Sequence, residues 1–316
     1  MNRPYTTVVM LLLSLSAAGK PGAQPGSRYA GDPLLLGAGA RPLGMGSAFV
    51  AISDDATAIY WNPAGLSRLS SAEAHAQHAE QFGGTVNHDV FTLAGPSRVG
   101  GIGIGLLRLG VDGIKLTASE DPSRPTAPDN RPLVLDEVGT TDYSLHLAYG
   151  KALRPNLSVG VSIKLIWRHL HVGSGSGYGI DLGLLYAPRQ GVSLGLAVRN
   201  LTRTRIAFDS GETDRIPPSL LFGLAYTKAF TGIKSQITWS TSFHLGEEKS
   251  ETEGLQGFQA GAEYRYRRRL TFRMGSENGQ FTAGAGVRFH RLGLDLAFLD
   301  HGQLNNAYRV SAFIRF

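Results

Sequence analysis

In the stretch "LSVGVSIKLIWR", an extended chain sends Leu157, Val159, Val161, Ile163, Leu165 and Trp167 to one side and Ser158, Gly160, Ser162, Lys164 and Arg168 to the other. One face is oily and the other wet. "GVSLGLAVRNL" repeats the pattern, with Val192, Leu194, Leu196 and Val198 against Ser193, Gly195, Ala197 and Arg199. So does the stretch where Gln259, Glu263 and Arg265 oppose Phe258, Ala260, Ala262 and Tyr264. A period of two persists from Ala72 to the last residue and marks about fourteen strands, an even number. A soluble two-layer sandwich alternates as well, so alternation alone does not choose between sandwich and barrel.

The connections do choose. Every second one is tight: "PSRV", "KALRPN", "PRQG", "KAFTGI", "RRR" and "HRLG". Those between are longer and more acidic or polar: "VDGIKLTASEDPSRPTAPDNRPLVLDEVG", "LHVGSGSG", "TRTRIAFDSGETDRIP", "GEEKSETEG", "SENGQ" and "DHGQLNN". Short turns on one rim and long loops on the other are the mark of an antiparallel transmembrane β-barrel in an outer membrane, with both barrel termini on the short-turn, periplasmic side. The last strand, "AYRVSAFIRF", puts Tyr308, Val310, Ala312, Ile314 and Phe316 outward and resembles the C-terminal signal, from Tyr308 to the terminal Phe316, that barrel-assembly machinery reads. Closure removes the sheet edges that outer-membrane lipid cannot satisfy.

Composition sharpens this. Gly supplies 41 of 316 residues and charged residues only 18%, and after the N-terminus no apolar run reaches the length of a membrane helix. The opening "MNRPYTTVVMLLLSLSAAGKPGAQPGS" reads as a secretory signal peptide over residues 1–23, with Ala18 as a competing cleavage site. Export and the scatter of basic residues along strands and turns argue against nucleic acid as the partner of the +6 net charge. With no Cys there is no disulfide and no thiolate metal site.

Between leader and barrel, residues 24–70 break the period. Asp54 or Asp55 can cap a short helix through "DATAIYW", which Pro63 and Gly65 stop. A barrel of this width needs something inside, so the segment reads as a hatch or plug and residues 71–316 as the barrel. Inward positions on the strands also collect charge: Lys164, Arg199, Glu263, Arg265, Arg288, Arg309 and Arg315. Salt bridges among themselves and with Asp54 and Asp55 are one use for them; guiding an anionic ligand is another.

Other chemistry is weak. "GVSLG" matches G-x-S-x-G, but Ser193 sits within an alternating strand, where no nucleophile elbow forms. His75 and His78, three apart in a strand, point to opposite faces and cannot share a metal by that spacing. "GSGSGYG" and "GGIGIG" lack the Lys and the helix of a phosphate loop, and read as a loop and as small lumenal residues. The run Glu247, Glu248, Glu251 and Glu253 reads as a solvated loop tip. No enzyme, cofactor or metal is expected.

"GARPLGMGSAFVAISDDATAIYWNPAGLSRL" resembles the N-terminal signature of PorV/PorQ-type outer-membrane proteins, a branch of the FadL-like fourteen-stranded barrels. Its most specific part runs from Asp54 to Leu66 and includes Asp54, Asp55, Tyr60, Trp61, Asn62, Pro63 and Gly65, the "NPA" being shared with the wider FadL-like group. Strand motifs such as "YGIDLGLLYAP" and "FTAGAGVRFHRLGLDLAF" extend the resemblance over most of the mature chain. It implies a hatch-bearing barrel acting by protein binding in a type IX-like secretion pathway, whose partners are a secretion translocon or cargo proteins with a C-terminal sorting domain. The alternative it implies is a FadL-like channel for small hydrophobic molecules. Short surface loops leave little to grip a cargo.

Overall fold

The computed structural model describes residues 36–81, 84–121, 123, 124, 126–246, 257–300 and 306–316. The expected signal peptide, the first part of the expected hatch and the acidic run Glu247 to Glu253 lie outside the described residues.

Fourteen antiparallel strands close into a barrel. In chain order they are β1 Glu73–Gln81, β2 Val86–Ser97, β3 Gly100–Ser119, β4 Pro132–Arg154, β5 Leu157–Leu170, β6 Gly173–Arg189, β7 Val192–Arg199, β10 Ser219–Phe230, β11 Ser235–Gly246, β12 Phe258–Tyr266, β13 Leu270–Glu277, β14 Gln280–Phe289, β15 Leu292–Leu299 and β16 Ala307–Arg315. Each pairs with its neighbours, and β1 closes the ring on β16 with His75 opposite Phe313. A short hairpin, β8 Arg205–Phe208 and β9 Thr213–Arg215, hangs on the upper part of β6.

Side chains sort as the period of two requires. Phe91, Leu93, Ile104, Leu224, Phe272 and Leu294 stand exposed on the outer wall, while Ser144, Ser162, Thr238, Ser240, Gln259 and Thr282 are buried on the inner one. An apolar outside and a polar inside are what a bilayer-spanning barrel needs.

The loop-length expectation holds by rim, but two of the long loops are more ordered than the pattern indicates. β3 and β4 continue as a ribbon past the barrel, over most of the stretch read as a thirty-residue loop, with register shifts after Val111 and Leu116. Both ribbon faces meet water there, so Leu133, Val134 and Leu135 are exposed and no clean alternation marks the strands. "GSGSGYG" is not a loop but the start of β6, where Gly175 and Gly179 leave space for Phe208 and Thr204 of the β7–β10 connection.

Basic residues are spread over lumen and both rims, as expected, but one subset is ordered. Strand ends bring the turn cations to one rim, because the chain returns to that rim after every second strand.

Candidate functional site: a plugged lumen

The segment from Gly37 to Leu69 lies within the barrel and fills it. It carries a turn of helix α1 Ala40–Leu43, a second turn α2 Ala58–Trp61, and a 3-10 turn Pro63–Arg68. Ala38, Met45, Ala48, Phe49, Ala56 and Leu66 have no more than traces of accessible surface.

Two features of the wall allow such close packing. The first is absent side chains. Gly101, Gly150, Gly160 and Gly183 are cross-strand neighbours in one row over β3, β4, β5 and β6. A Cβ on Gly160 would lie 2.3 Å from the Ala64 nitrogen, and one on Gly183 would lie 2.1 Å from the Asn62 Oδ1. The row is thus a trough that receives the backbone of "NPAGL". Beside the trough on β7, Gly195 meets the Val50 carbonyl, and further round the ring on β12 Gly261 meets the Met45 carbonyl in the same manner. The second feature is polar side chains that satisfy the plug's own backbone, since short helical turns leave their first N–H groups unpaired. Gly39 N donates to Gln77 Oε1 at 2.6 Å, Ala40 N to Ser311 Oγ at 2.8 Å, and Ala56 N to Glu73 Oε1 at 3.1 Å.

The motif residues divide this labour. Asn62 donates from Nδ2 to the carbonyls of Val50 (2.9 Å) and Leu184 (3.1 Å), the latter on β6, and accepts at Oδ1 from Ala64 N (3.2 Å). α2 ends at Trp61, Asn62 is extended (φ −162°, ψ 103°), and Pro63 then opens a separate 3-10 turn, so the helix stops where the sequence expected. Gly65 abuts the Ser53 carbonyl, which would be 1.9 Å from an added Cβ. Trp61 Nε1 donates to the Ala38 carbonyl at 2.7 Å, and its ring meets Tyr60 edge-on at 5.1 Å. Asp55 accepts from the Thr57 backbone N–H at 3.0 Å, whereas the helix begins one residue later without a side-chain cap. Asp54 does not cap; it faces Arg41 and is partly exposed.

Charges bind plug to wall. Arg41 donates from Nε and Nη2 to the two oxygens of Glu263 at 2.8 and 3.1 Å, and from Nη1 to Asp55 at 2.8 Å. Burial opposes its charge, but Asp54, Glu263 and Asp55 outweigh that and hold the guanidinium protonated well beyond the ordinary range. Burial likewise disfavours the Asp55 carboxylate, yet Arg41 and the Thr57 hydroxyl keep its pKa below the usual value.

Lys164, Arg199, Glu263, Arg265, Arg288, Arg309 and Arg315 each have lumenal contacts. Glu263 also pairs with Arg265 (2.7 Å) and Arg273 (2.8 Å). Lys164 pairs with Asp181 at 2.9 Å, Arg315 with Glu73 at 2.6 Å, and Arg309 lies 3.0 Å from His88. Arg199 stacks its guanidinium 4.5 Å from the centre of the Tyr60 ring, and Arg288 sits 5.1 Å from that of Phe313. Sequence reasoning missed Arg41, Glu73, Asp181, Arg273 and Asp295. Asp181 and Asp295 carried a usable signal, an acid at an alternate position of an otherwise apolar strand. Arg41 carried none, since its segment has no period.

The motifs set aside stay apart. Ser193 lies within β7 and accepts from Arg68 Nη2 at 3.1 Å, and no helix follows it. His75 is buried toward the lumen while His78 points outward and contacts Asp89 at 2.6 Å. Among the described residues no group of His, Asp and Glu could hold a metal ion.

Beside Arg41, Asp55, Glu73, Arg288 and Arg315, the lumen keeps a polar cavity of about 10 Å³, room for a single water. Across the wall lies something larger. On the outer face of β1 and β16, Ala74, Ala76 and Ala312 form the floor of an apolar groove of about 880 Å³, banked by Phe91, Leu93, Ile104, Leu292, Leu294 and Ile314. His75 and Phe313 line both spaces.

In comparisons of fold, the chain is similar to barrels of known structure. The Ralstonia pickettii toluene transporter TbuX matches with a TM-score of 0.57 at 14% identity, over 89% of this chain and 98% of that one. The CymD monoaromatic hydrocarbon channel matches at 0.60 and 13%, over 89% and 98%. A Pseudomonas aeruginosa FadL homologue matches at 0.51 and 12%, over 86% and 97%. The fold is FadL-like. No protein-family model matches the chain, and no curated protein matches it by sequence. The named neighbours are transporters and channels rather than enzymes.

Proposed function

We propose that this FadL-like barrel is a channel that passes small hydrophobic molecules across the outer membrane, with residues 36–70 as its hatch and the short-turn rim in the periplasm. The observation that carries the reading is the apolar groove on the bilayer-facing wall, which shares His75 and Phe313 with the lumenal cavity on the other side of the β1–β16 ladder. Ligand sites for such molecules are concave and lined by apolar side chains. The Arg41 network and the glycine trough hold the hatch shut in this state, so passage requires the hatch to shift or the wall at Phe313 to open.

This puts the channel ahead of the type IX secretion component. The secretion reading rests on sequence resemblance, most specific from Asp54 to Leu66, whereas the channel reading draws on the wall's geometry and on a fold shared with proteins named as hydrocarbon transporters. The barrel has no chemistry of its own in either reading.

The test is uptake of labelled toluene by a bacterial host with and without the protein in its outer membrane. Faster uptake with the folded barrel supports the channel. Uptake equal to the empty host, together with co-purification of translocon subunits, would return the secretion reading to first place.

A further inference from the structure

The six connections on the rim where β1 begins and β16 ends share a property that the net charge conceals. Each holds at least one Lys or Arg, and none holds Asp or Glu. Arg98 stands at the β2–β3 turn, Arg154 at β4–β5, Arg189 at β6–β7, Lys234 at β10–β11, Arg268 at β12–β13 and Arg291 at β14–β15. All six are exposed, and among the described residues none is held in an ion pair. The acids gather at the other rim, with Asp112, Glu120, Asp121, Asp129, Asp136 and Glu137 on the β3–β4 ribbon alone.

The cations alternate with apolar neighbours. Val99 follows Arg98, Leu153 precedes Arg154, Ile233 precedes Lys234, and Phe289 and Leu292 flank His290 and Arg291, all exposed. Lys228 lies 5.3 Å from the centre of the Phe230 ring and Arg267 lies 5.1 Å from that of Tyr266. Cations beside apolar and aromatic side chains, at the end of an apolar wall, are what the level of lipid headgroups selects, because the stems pack on hydrocarbon while the charges reach phosphate.

The distribution decides the partner. A folded acidic protein would meet one flank of the rim, and turns this short cannot reach across to it from the far side. A lipid leaflet surrounds the barrel and meets all six turns at once. We propose that the short-turn rim is a collar that binds the headgroups of anionic phospholipids in the leaflet around it. This inference rests on the barrel spanning a membrane and not on what passes through it.

The experiment places the full chain in nanodiscs made of phosphatidylcholine and phosphatidylglycerol in equal parts, and identifies the lipids that stay bound by native mass spectrometry. Each cation at an anionic surface supports about a fivefold preference, so phosphatidylglycerol should be retained at least about fivefold over phosphatidylcholine. The preference should vanish near 1 M salt, where the screening length falls to about 3 Å. The combined variant Arg154→Gln, Arg268→Gln and Arg291→Gln should lose it, while Lys115→Gln with Arg131→Gln on the opposite rim should keep it. Folding of each variant is read from its heat-dependent gel mobility, and if the triple variant fails to fold, the wild-type lipid ratio and its salt dependence decide. Equal retention of the two lipids by the wild type would overturn the collar. So would a preference untouched by salt, or phosphatidylglycerol displaced from the rim by polyglutamate at lower charge concentration, which would mark a site for an acidic protein.

Discussion

Arg41 and Glu263, separated by 222 positions in the chain, meet inside the barrel as a two-pronged pair, Nε to Oε2 at 2.8 Å and Nη2 to Oε1 at 3.1 Å. Both are buried, and the same guanidinium also reaches Asp55 at 2.8 Å. A single side chain thereby ties the hatch to β12 and the first helical turn of the hatch to its middle. Parallel N–H donors fix direction as well as distance, which a lysine cannot do.

Removing that side chain tests the latch. Arg41→Ala strands Asp55 in a buried site, while Glu263 keeps Arg265 and Arg273. Breaking a buried pair from one side costs about 3 kcal/mol, and here the loss should fall on the hatch rather than on the strand ladder. In planar bilayers the variant should show open current where the wild type is closed, and Arg41→Lys should restore closure only in part. A closed variant with unchanged melting would mean that the glycine trough alone holds the hatch.

The same latch should respond to acid. In the folded protein Asp55 has its pKa held down, so the stability it contributes is fully present above the ordinary Asp value of about 4 and is lost as pH falls through the lower, folded value. Between pH 8 and 5 the closed state should therefore be flat, with hatch release beginning only below about pH 4. Conductance measured against pH reads this directly, and an onset near neutrality would assign the control to a different group. Asp55→Asn should remove the acid step.

The glycine trough makes a separate demand. Gly183 faces the Asn62 side chain, and a valine there would overlap Oδ1 and Pro63. Overpacking of this kind costs about 1–3 kcal/mol. Since the outer wall is untouched, Gly183→Val should still insert and show heat-dependent mobility, yet expose the Asn62 to Leu69 stretch to added protease. Gly232→Ala, with no atom within 4 Å, is the matched control and should behave as wild type. A Gly183→Val barrel with a protected hatch would show that the backbone can retreat from the wall.

How much of this was legible follows from which forces leave a period. On β5 and β7 each side chain faces lipid or lumen, so Val161 and Lys164 declare their sides in the sequence itself, and so does Glu263 on β12. Closure, strand number and the inward set of charges were readable for that reason. The ribbon of β3 and β4 was not, since beyond the bilayer both of its faces are wet and Leu133 and Leu135 carry no sidedness. Within the hatch nothing repeats, and Arg41 looks no different from Arg68 until the wall is folded around it. The glycines were read as small lumenal residues, and what they make room for, the "NPAGL" backbone, emerged only when Gly101, Gly150, Gly160 and Gly183 fell into one row.

Phe313 offers the most direct probe of transport. Its ring lies over Gly293, where an added Cβ would come within 2.1 Å of Cζ, and between the guanidiniums of Arg288 and Arg315 at 5.1 and 5.3 Å from its centre. Together with His75 it borders both the outer groove and the lumenal cavity, which lie on either side of the β1–β16 ladder. Phe313→Ala removes the ring from the lumenal side of that ladder and, by the usual cost of emptying an aromatic site, about 3–5 kcal/mol of stability. If molecules cross the wall here, uptake of toluene should rise severalfold in the folded variant. Gly293→Ala should act oppositely in mechanism, pressing the ring toward the two arginines and costing about 1–3 kcal/mol, with uptake no higher than wild type. Should a folded Phe313→Ala barrel take up toluene at the wild-type rate, the passage does not run through this part of the wall. The hatch variants, measured in the same assay, then distinguish an axial route past Arg41 from a barrel that carries no hydrocarbon at all.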